Sequence, residues 1–399
     1  MYKLYCRVHQ WIFRVAMYLL PWRRPQLLEG ANSVRGLPAL IKEKGIRRVL
    51  VVTDSGIVAL GLMDELLQGL AQEGIEYAVY DKTVPNPTID NIQEALQEYK
   101  DNECQGIVAF GGGSAMDCAK GVGARVVRPQ KNLPQMKGQF KILKTLPPLF
   151  AVPTTAGTGS EATVTSVVAN SRTHEKYPIN DISLIPHYAV LDPLLTVGLP
   201  PQLTATTGMD ALTHAVEAYI GKSNTTQTWK DAREAVKLIF ANLHLAYLHG
   251  DNIQARASMQ RAAYLAGCAF TRAYVGYVHA IAHTLGGFYS VPHGLANAVI
   301  LPICLEYYGE AVHKPLAELA DLVGIAAYTE TEAEKAQKFI DKIKELNQSM
   351  NIPEKISGIK DEDIPLMVRR ALQEANPLYP VPKIYGAQDL TNLYNLVKG

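Results

Sequence analysis

From residue 48 to residue 161, apolar strand-like runs alternate with helical ones, and after residue 200 the alternation stops. "RVLVVTD" (48–54) reads as a buried strand and "VALGLMDELLQGLAQEG" (58–74) as the helix after it. "EYAVYD" (76–81) is a second strand, followed by a helix near 90–100. "GIVAFGGGS" (106–114) runs from strand into a glycine-rich turn that opens a helix, and "LPPLFAVPTTAGTGSE" (146–161) carries another strand into a hydroxyl-rich loop. A strand–helix–strand rhythm implies crossover connections, hence a largely parallel sheet with ligands at the carboxyl ends of its strands. The rhythm ends at "GLPPQL" (198–203). Beyond it the spacing is helical over 208–220, 229–249, 254–272, 277–286, 294–309, 314–325 and 330–349. The expected organisation is an arm (1–25), an α/β domain with a parallel sheet (26–199) and an all-α domain (200–399).

A chain of 399 residues is long enough for two such cores. Its 39 basic and 38 acidic residues nearly cancel, which argues against nucleic acid as a partner. The five cysteines are odd in number and contain no CxxC pair, which suits a reducing cytoplasm and argues against a thiolate zinc site. Residues 1–24 carry Lys3, Arg7, Arg14, Arg23 and Arg24 and no acid. Leu4, Val8, Trp11, Ile12, Val15 and Leu19 recur there at helical spacing, while Arg14 interrupts any membrane span. An arm packed on this subunit or a neighbour is the favoured reading, ahead of an interfacial membrane helix.

"GGGS" (111–114) is neither a GxGxxG fingerprint nor a Walker loop. Glycines at a helix N-terminus nevertheless let backbone N–H groups approach an anion. Ser114 and Asp117 have the spacing of a capping box that would fix the start of that helix. Asp54 closes the strand 48–54, where a carboxylate can accept from ribose hydroxyls. "PTTAGTGSEAT" (153–163) packs hydroxyl side chains after another strand. Three polar strand ends of one parallel sheet point to a dinucleotide crevice.

"HAIAHTLGGFYSVPHG" (279–294) holds His279, His283 and His293, and "GMDALTHAVEAY" (208–219) puts Asp210 and His214 four apart on one helix face. A carboxylate with several imidazoles and no thiolate suits Fe2+ or Zn2+ in an open catalytic site. Spacing alone would make His279 and His283 both ligands and leave His293 without a role.

These segments, with "VVTD" (51–54), "NP" (86–87), "GGGSAMDCAK" (111–120) and "HAIAHTLGGFYSVPHGLANAVILP" (279–302), resemble the iron-containing (group III) alcohol dehydrogenase family, in family order from about residue 26 to the C-terminus. The resemblance implies a dehydroquinate synthase-like fold and a metal held by Asp210, His214, His279 and His293. It places His283 beside the nicotinamide and substrate as the candidate catalytic residue, with the Gly-Gly and Pro292 turning the chain back so that His293 reaches the metal. It also assigns Asp54 to the adenosine ribose, and Asn86, Gly112, Gly113 and Ser114 to the ribose and phosphates. Thr154, Thr155 and Thr163 continue along NAD; Lys176 and Leu195 complete the set on spacing. The arm and "ANPLYPVPKIYG" (375–386) depart from the family pattern.

The implied activity is NAD(H)-linked interconversion of small alcohols with aldehydes or ketones, in a homodimer or larger homo-oligomer. Glycerol dehydrogenase, hydroxyacid–oxoacid transhydrogenase or a dehydroquinate-synthase-like lyase are alternatives within the fold. A non-catalytic membrane-associated scaffold is the alternative of another class.

Overall fold

A computed structural model describes residues 1–171 and 175–399, with only the backbone of Ala16. Its strands are β1 Gln26–Glu29, β2 Arg48–Val52, β3 Glu76–Tyr80, β4 Gly106–Gly111, β5 Gly138–Gln139, β6 Leu149–Pro153, β7 Thr165–Ala169, β8 Lys176–Asn180 and β9 Tyr188–Leu191. Six of them form one wholly parallel sheet in the order β1-β9-β6-β4-β2-β3; β5, β8 and β7 form a small second sheet. The main sheet is covered on both sides, and the side-chain alternation shows how. Leu50, Val52, Ile107, Ala109, Leu149 and Ala151 feed one apolar core. Val49, Val51, Val108, Phe110, Phe150 and Val152 feed the other. Strands buried on two faces read as continuous apolar runs, which is why β2, β4 and β6 stand out in the sequence. The strands β1, β7 and β8 do not, because they are buried on one face at most and so lack a continuous apolar run.

Two further expectations are corrected. The strand at 48–54 ends at Val52, and Asp54 instead forms an isolated bridge with Lys82. The helix at 58–74 is two helices, Ser55–Ala59 and Asp64–Gln72, parted at Gly61, whose φ of +64° ends the first.

Contacts divide the chain into two units, Pro21–Gly198 and Met1–Leu20 together with Leu199–Gly399. The arm is therefore part of the helical unit. It forms the helix Tyr2–Tyr18, which buries Cys6, Gln10 and Met17. Arg7 donates to the carbonyls of Val381 and Pro382 at 2.8 and 2.9 Å, and Gln10 to that of Tyr379 at 2.7 Å. The two stretches that depart from the family pattern thus pack on each other.

At the centre of this unit lies Pro201–Ile220, buried from Thr204 to Ile220 apart from Thr207. It contacts Thr226–Leu248, Ile253–Ala273 and His293–Tyr308. A helix apolar on every side belongs inside a bundle. It begins at Pro201, earlier than 208, because proline suits the first helical turn. Ile364–Ala375 and Ala387–Val397 are further helices that the spacing analysis did not resolve. The stretch His293–Leu322 is apolar and long enough to cross a bilayer, but most of it is buried inside the protein.

Gly294 lets two of these helices meet at backbone distance: a Cβ there would stand 2.3 Å from the carbonyl oxygen of Thr206. Since the obstacle is backbone, it cannot swing aside. Gly294→Ala is expected to lower stability by about 2 kcal/mol or more, read from denaturant midpoints. An unchanged midpoint would show that the close approach is not needed.

Candidate functional site

Asp210, His214 and Glu217 fall at i, i+4 and i+7 of Pro201–Ile220, a buried polar stripe on an otherwise apolar helix. His279 comes from the helix Tyr277–Tyr289, and His293 is the first residue of His293–Tyr308. Asp210 Oδ1 lies 3.5 Å from His293 Nε2 and 3.9 Å from His279 Nε2. Two atoms that each bind one ion at about 2.1 Å can be at most about 4.2 Å apart, so these separations suit a single ion. Ligand atoms of Asp210, His279 and His293 all lie within 4.8 Å of one another. His214 stands beside this group. Its Nδ1 is 4.0 Å from Asp210 Oδ2, and its ring stacks on Phe270 and His279 at 4.1 and 4.4 Å.

The hydrogen bonding here is unbalanced in the way a cation would correct. Asn297 Nδ2 is 2.7 Å from Asp210 Oδ1 and 3.2 Å from both His279 Nε2 and His293 Nε2. Two amide hydrogens cannot serve three acceptors. In addition, His214 Nδ1 and Asn297 Oδ1 are buried without a hydrogen-bond partner. Burial lowers the pKa of His214, lowers that of His279 strongly, and pushes His293 down to about 4. Asp210 acts in the opposite direction on His214 and His293 without overcoming burial. Neutral imidazoles and a carboxylate, with Asp210, His214 and His279 buried and His293 at the open edge, offer lone pairs to a divalent ion.

Glu217 orients one of them. Its Oε2 accepts from His279 Nδ1 at 2.6 Å and from the Gly276 amide at 2.9 Å, and its Oε1 accepts from the Val278 amide at 2.9 Å. With Nδ1–H committed to Glu217, the lone pair of His279 sits on Nε2, the atom that faces Asp210. Burial raises the Glu217 pKa to about 7, opposed by the backbone N–H groups that it accepts from. The sequence reading missed Glu217. Its signal was a third polar residue on the Asp210–His214 face of a helix with no other reason to be polar there.

His283 stands apart from the three. Its Nδ1 pairs with Glu374 Oε1 at 2.7 Å, its ring stacks on His293 at 5.1 Å, and its side chain is 42% exposed. Desolvation, the largest influence on it, opposes protonation, but Glu374, Asp210 and Glu217 outweigh it and raise its pKa. The turn toward His293 is not made by the glycines: Gly286 and Gly287 lie inside the helix Tyr277–Tyr289. Ser290, at φ +55°, and the extended Pro292 redirect the chain.

In the α/β unit, β2 has β3 on one side and β4 on the other, the switch point where parallel sheets open a crevice. Asp54 follows β2, Gly112–Ser114 follow β4, and Thr154 and Thr155 follow β6. Gly111, at φ +149°, has no room for a Cβ, which would meet Ala115 at 2.9 Å, and that position is 3.7 Å from Asp54 Oδ2. The capping box at Ser114 is not formed: Gly112 is the N-cap, and Ser114 Oγ accepts from the Asn86 amide at 3.2 Å. Asp117 is instead half-buried near Lys120 and Ser160, its pKa pushed up by desolvation to about 7.

Three other assigned residues have structural partners. Thr163 Oγ1 lies 2.9 Å from the buried Lys120 Nζ, which is also within 3.1 Å of Ser160 Oγ and of the carbonyls of Thr163 and Thr165, so its three hydrogens are shared among four oxygens. Leu195 packs in the apolar core around Val49 and Phe110. Lys176 starts β8 with its side chain exposed, paired in register with Ala169, whose amide donates to the Pro87 carbonyl beside Asn86. Asp54 itself caps Ser55–Ala59 by accepting from the Ile57 amide at 3.0 Å through Oδ1.

Profiles described as "Iron-containing alcohol dehydrogenase" and "Fe-containing alcohol dehydrogenase family, C-terminal" match residues 25–193 and 204–397. The chain belongs to the iron-containing alcohol dehydrogenase family. It is 41% identical to 1,3-propanediol dehydrogenase of Klebsiella pneumoniae over 87% of this chain and 90% of that protein. It is 40% identical to alcohol dehydrogenase 4 of Saccharomyces cerevisiae over 87% of this chain and 90% of the relative. A crystal structure of 1,3-propanediol oxidoreductase superposes with a TM-score of 0.91 at 38% identity, covering 95% of this chain and all of the other. The protein is accordingly an oxidoreductase acting on CH–OH groups, interconverting alcohols and aldehydes with NAD(H).

If Glu217 fixes the His279 tautomer, Glu217→Gln should weaken metal retention by about 10- to 100-fold in chelator competition while the protein stays folded. Unchanged retention would remove Glu217 from the site.

Proposed function

We propose that the enzyme interconverts small alcohols and aldehydes with NAD(H). In this reading Asp210, His279 and His293, with His214 beside them, hold one divalent ion, Fe2+ in preference to Zn2+. The convergence of three lone-pair atoms on too few hydrogens carries it. When bound, the ion supplies Lewis-acid polarisation of the substrate oxygen, and NAD(H) supplies the hydride chemistry.

The chain's own residues do the rest. Asp210 brings one negative charge against three neutral imidazoles, so a divalent ion keeps net positive charge here. Glu217 holds His279 in the tautomer that presents Nε2. His283, raised in pKa by Glu374 and partly exposed, is suited to pass a proton between the substrate hydroxyl and water. In the α/β unit, Asp54 Oδ1 is occupied by the cap while Oδ2 faces Gly111, which leaves an oxygen for a ribose hydroxyl. Gly112, Gly113 and Ser114 open the helix Gly113–Val127 and can offer backbone N–H groups to the phosphates. The relative named for 1,3-propanediol supports a small substrate.

Two variants test this reading. His283→Ala should keep its metal and lose roughly 10²- to 10⁴-fold in turnover, measured as NADH absorbance alongside metal content. Loss of the metal with it would make His283 a ligand instead. Asp54→Gly changes a cap at a cost of only a few tenths of a kcal/mol. It should raise activity with NADP, because the carboxylate repels a 2′-phosphate carrying roughly −1.5 to −2 charges. A variant as NAD-specific as the parent would confine Asp54 to capping.

A further inference from the structure

The arm helix Tyr2–Tyr18 carries, besides its buried face, an apolar ridge turned away from the protein. Its protein-facing side buries Cys6, Gln10 and Met17, and polar groups fix it there: Gln10 donates to the Tyr379 carbonyl and Arg7 is pinned to Val381 and Pro382. Its outward side is apolar. Leu4, Val8, Trp11, Ile12, Val15 and Leu19 are 46–80% exposed, at the spacing of one helix face. Tyr2, Tyr5 and Tyr18 are exposed near its two ends. Of the 23 exposed large apolar side chains among the described residues, ten lie in residues 1–19, so this is a patch and not scatter. The family profiles begin at residue 25 and leave this helix outside what the catalytic fold requires.

We infer that this face docks on an anionic phospholipid surface, the helix lying flat with its apolar ridge in the headgroup–acyl boundary. The anchoring of Arg7 and Gln10 along one side holds the helix against the protein, so it cannot insert end-on. The charge also fits. The first acid in the chain is Glu29, whereas Lys3 and Arg14 are exposed on the arm. Tryptophan and tyrosine favour the membrane–water interface, and basic residues favour anionic lipid. Pairing the same ridge with a second copy would instead set two wholly basic helices side by side with no acid on either.

The test is flotation of the full-length enzyme with vesicles of phosphatidylcholine alone or of equal parts phosphatidylcholine and phosphatidylglycerol. The enzyme should float with the anionic vesicles, and less so as salt rises. A Trp11→Glu/Val15→Glu variant, altered only at exposed positions, should lose binding by about tenfold or more while keeping its NADH-linked turnover. Lys3→Glu should weaken binding to anionic vesicles alone. Failure of the parent enzyme to float, or equal flotation of the double variant, would overturn the inference. Light scattering supplies a third outcome: if the double variant turns a dimer into monomers, the ridge belongs to a second copy and the membrane assignment is wrong.

Discussion

A carboxylate buried in the middle of a helical bundle is costly unless its oxygens are filled, and Glu217 is filled three times over, by two backbone amides and His279. Those amides belong to Gly276 and Val278, at the start of the helix that carries His279, so the same interaction fixes both the helix origin and the ring. A Cβ at 276 would stand 2.6 Å from Glu217 Oε1, which explains the glycine. Pro201–Ile220 thus does more than fill the core. It carries His214 and Asp210 one and two turns before Glu217, and the helices bearing His279 and His293 come to it. The contact of Gly294 with Thr206 brings His293 to the same place from a third helix.

Much of this was legible in the residues. The central strands announced themselves because burial on both faces demands unbroken apolar runs. The ligand candidates did so because histidines and an aspartate on apolar helices need a reason to be there. What was not legible depended on contacts distant in sequence. Ser114 has a capping residue's spacing, yet its oxygen is taken by the amide of Asn86, and Gly112 caps the helix instead. The Gly-Gly before His293 looked like a turn, but glycine is tolerated within a helix whose packing is set by its neighbours, and Ser290 makes the turn. Glu374 and Asn297 reach the centre from positions whose spacing says nothing about His283 or Asp210.

The arm and residues 375–386 looked in the sequence like two unrelated departures from the family pattern. They form one feature, since Arg7 and Gln10 bond to the carbonyls of 379–382. Arg7 spends its guanidinium on backbone carbonyls, so the arm packs on this subunit while its apolar ridge Leu4–Val8–Trp11–Val15 faces outward.

We propose that Asp210, His279 and His293 form a cation site ordered from behind by Glu217. Anomalous diffraction at the iron edge, from crystals of enzyme loaded anaerobically with Fe2+, tests it most directly. One peak is expected within about 2.3 Å of Asp210 Oδ1, His279 Nε2 and His293 Nε2, with a His214 nitrogen as the fourth neighbour. A peak coordinated by His283 in place of His293, or no peak among these residues, would contradict it.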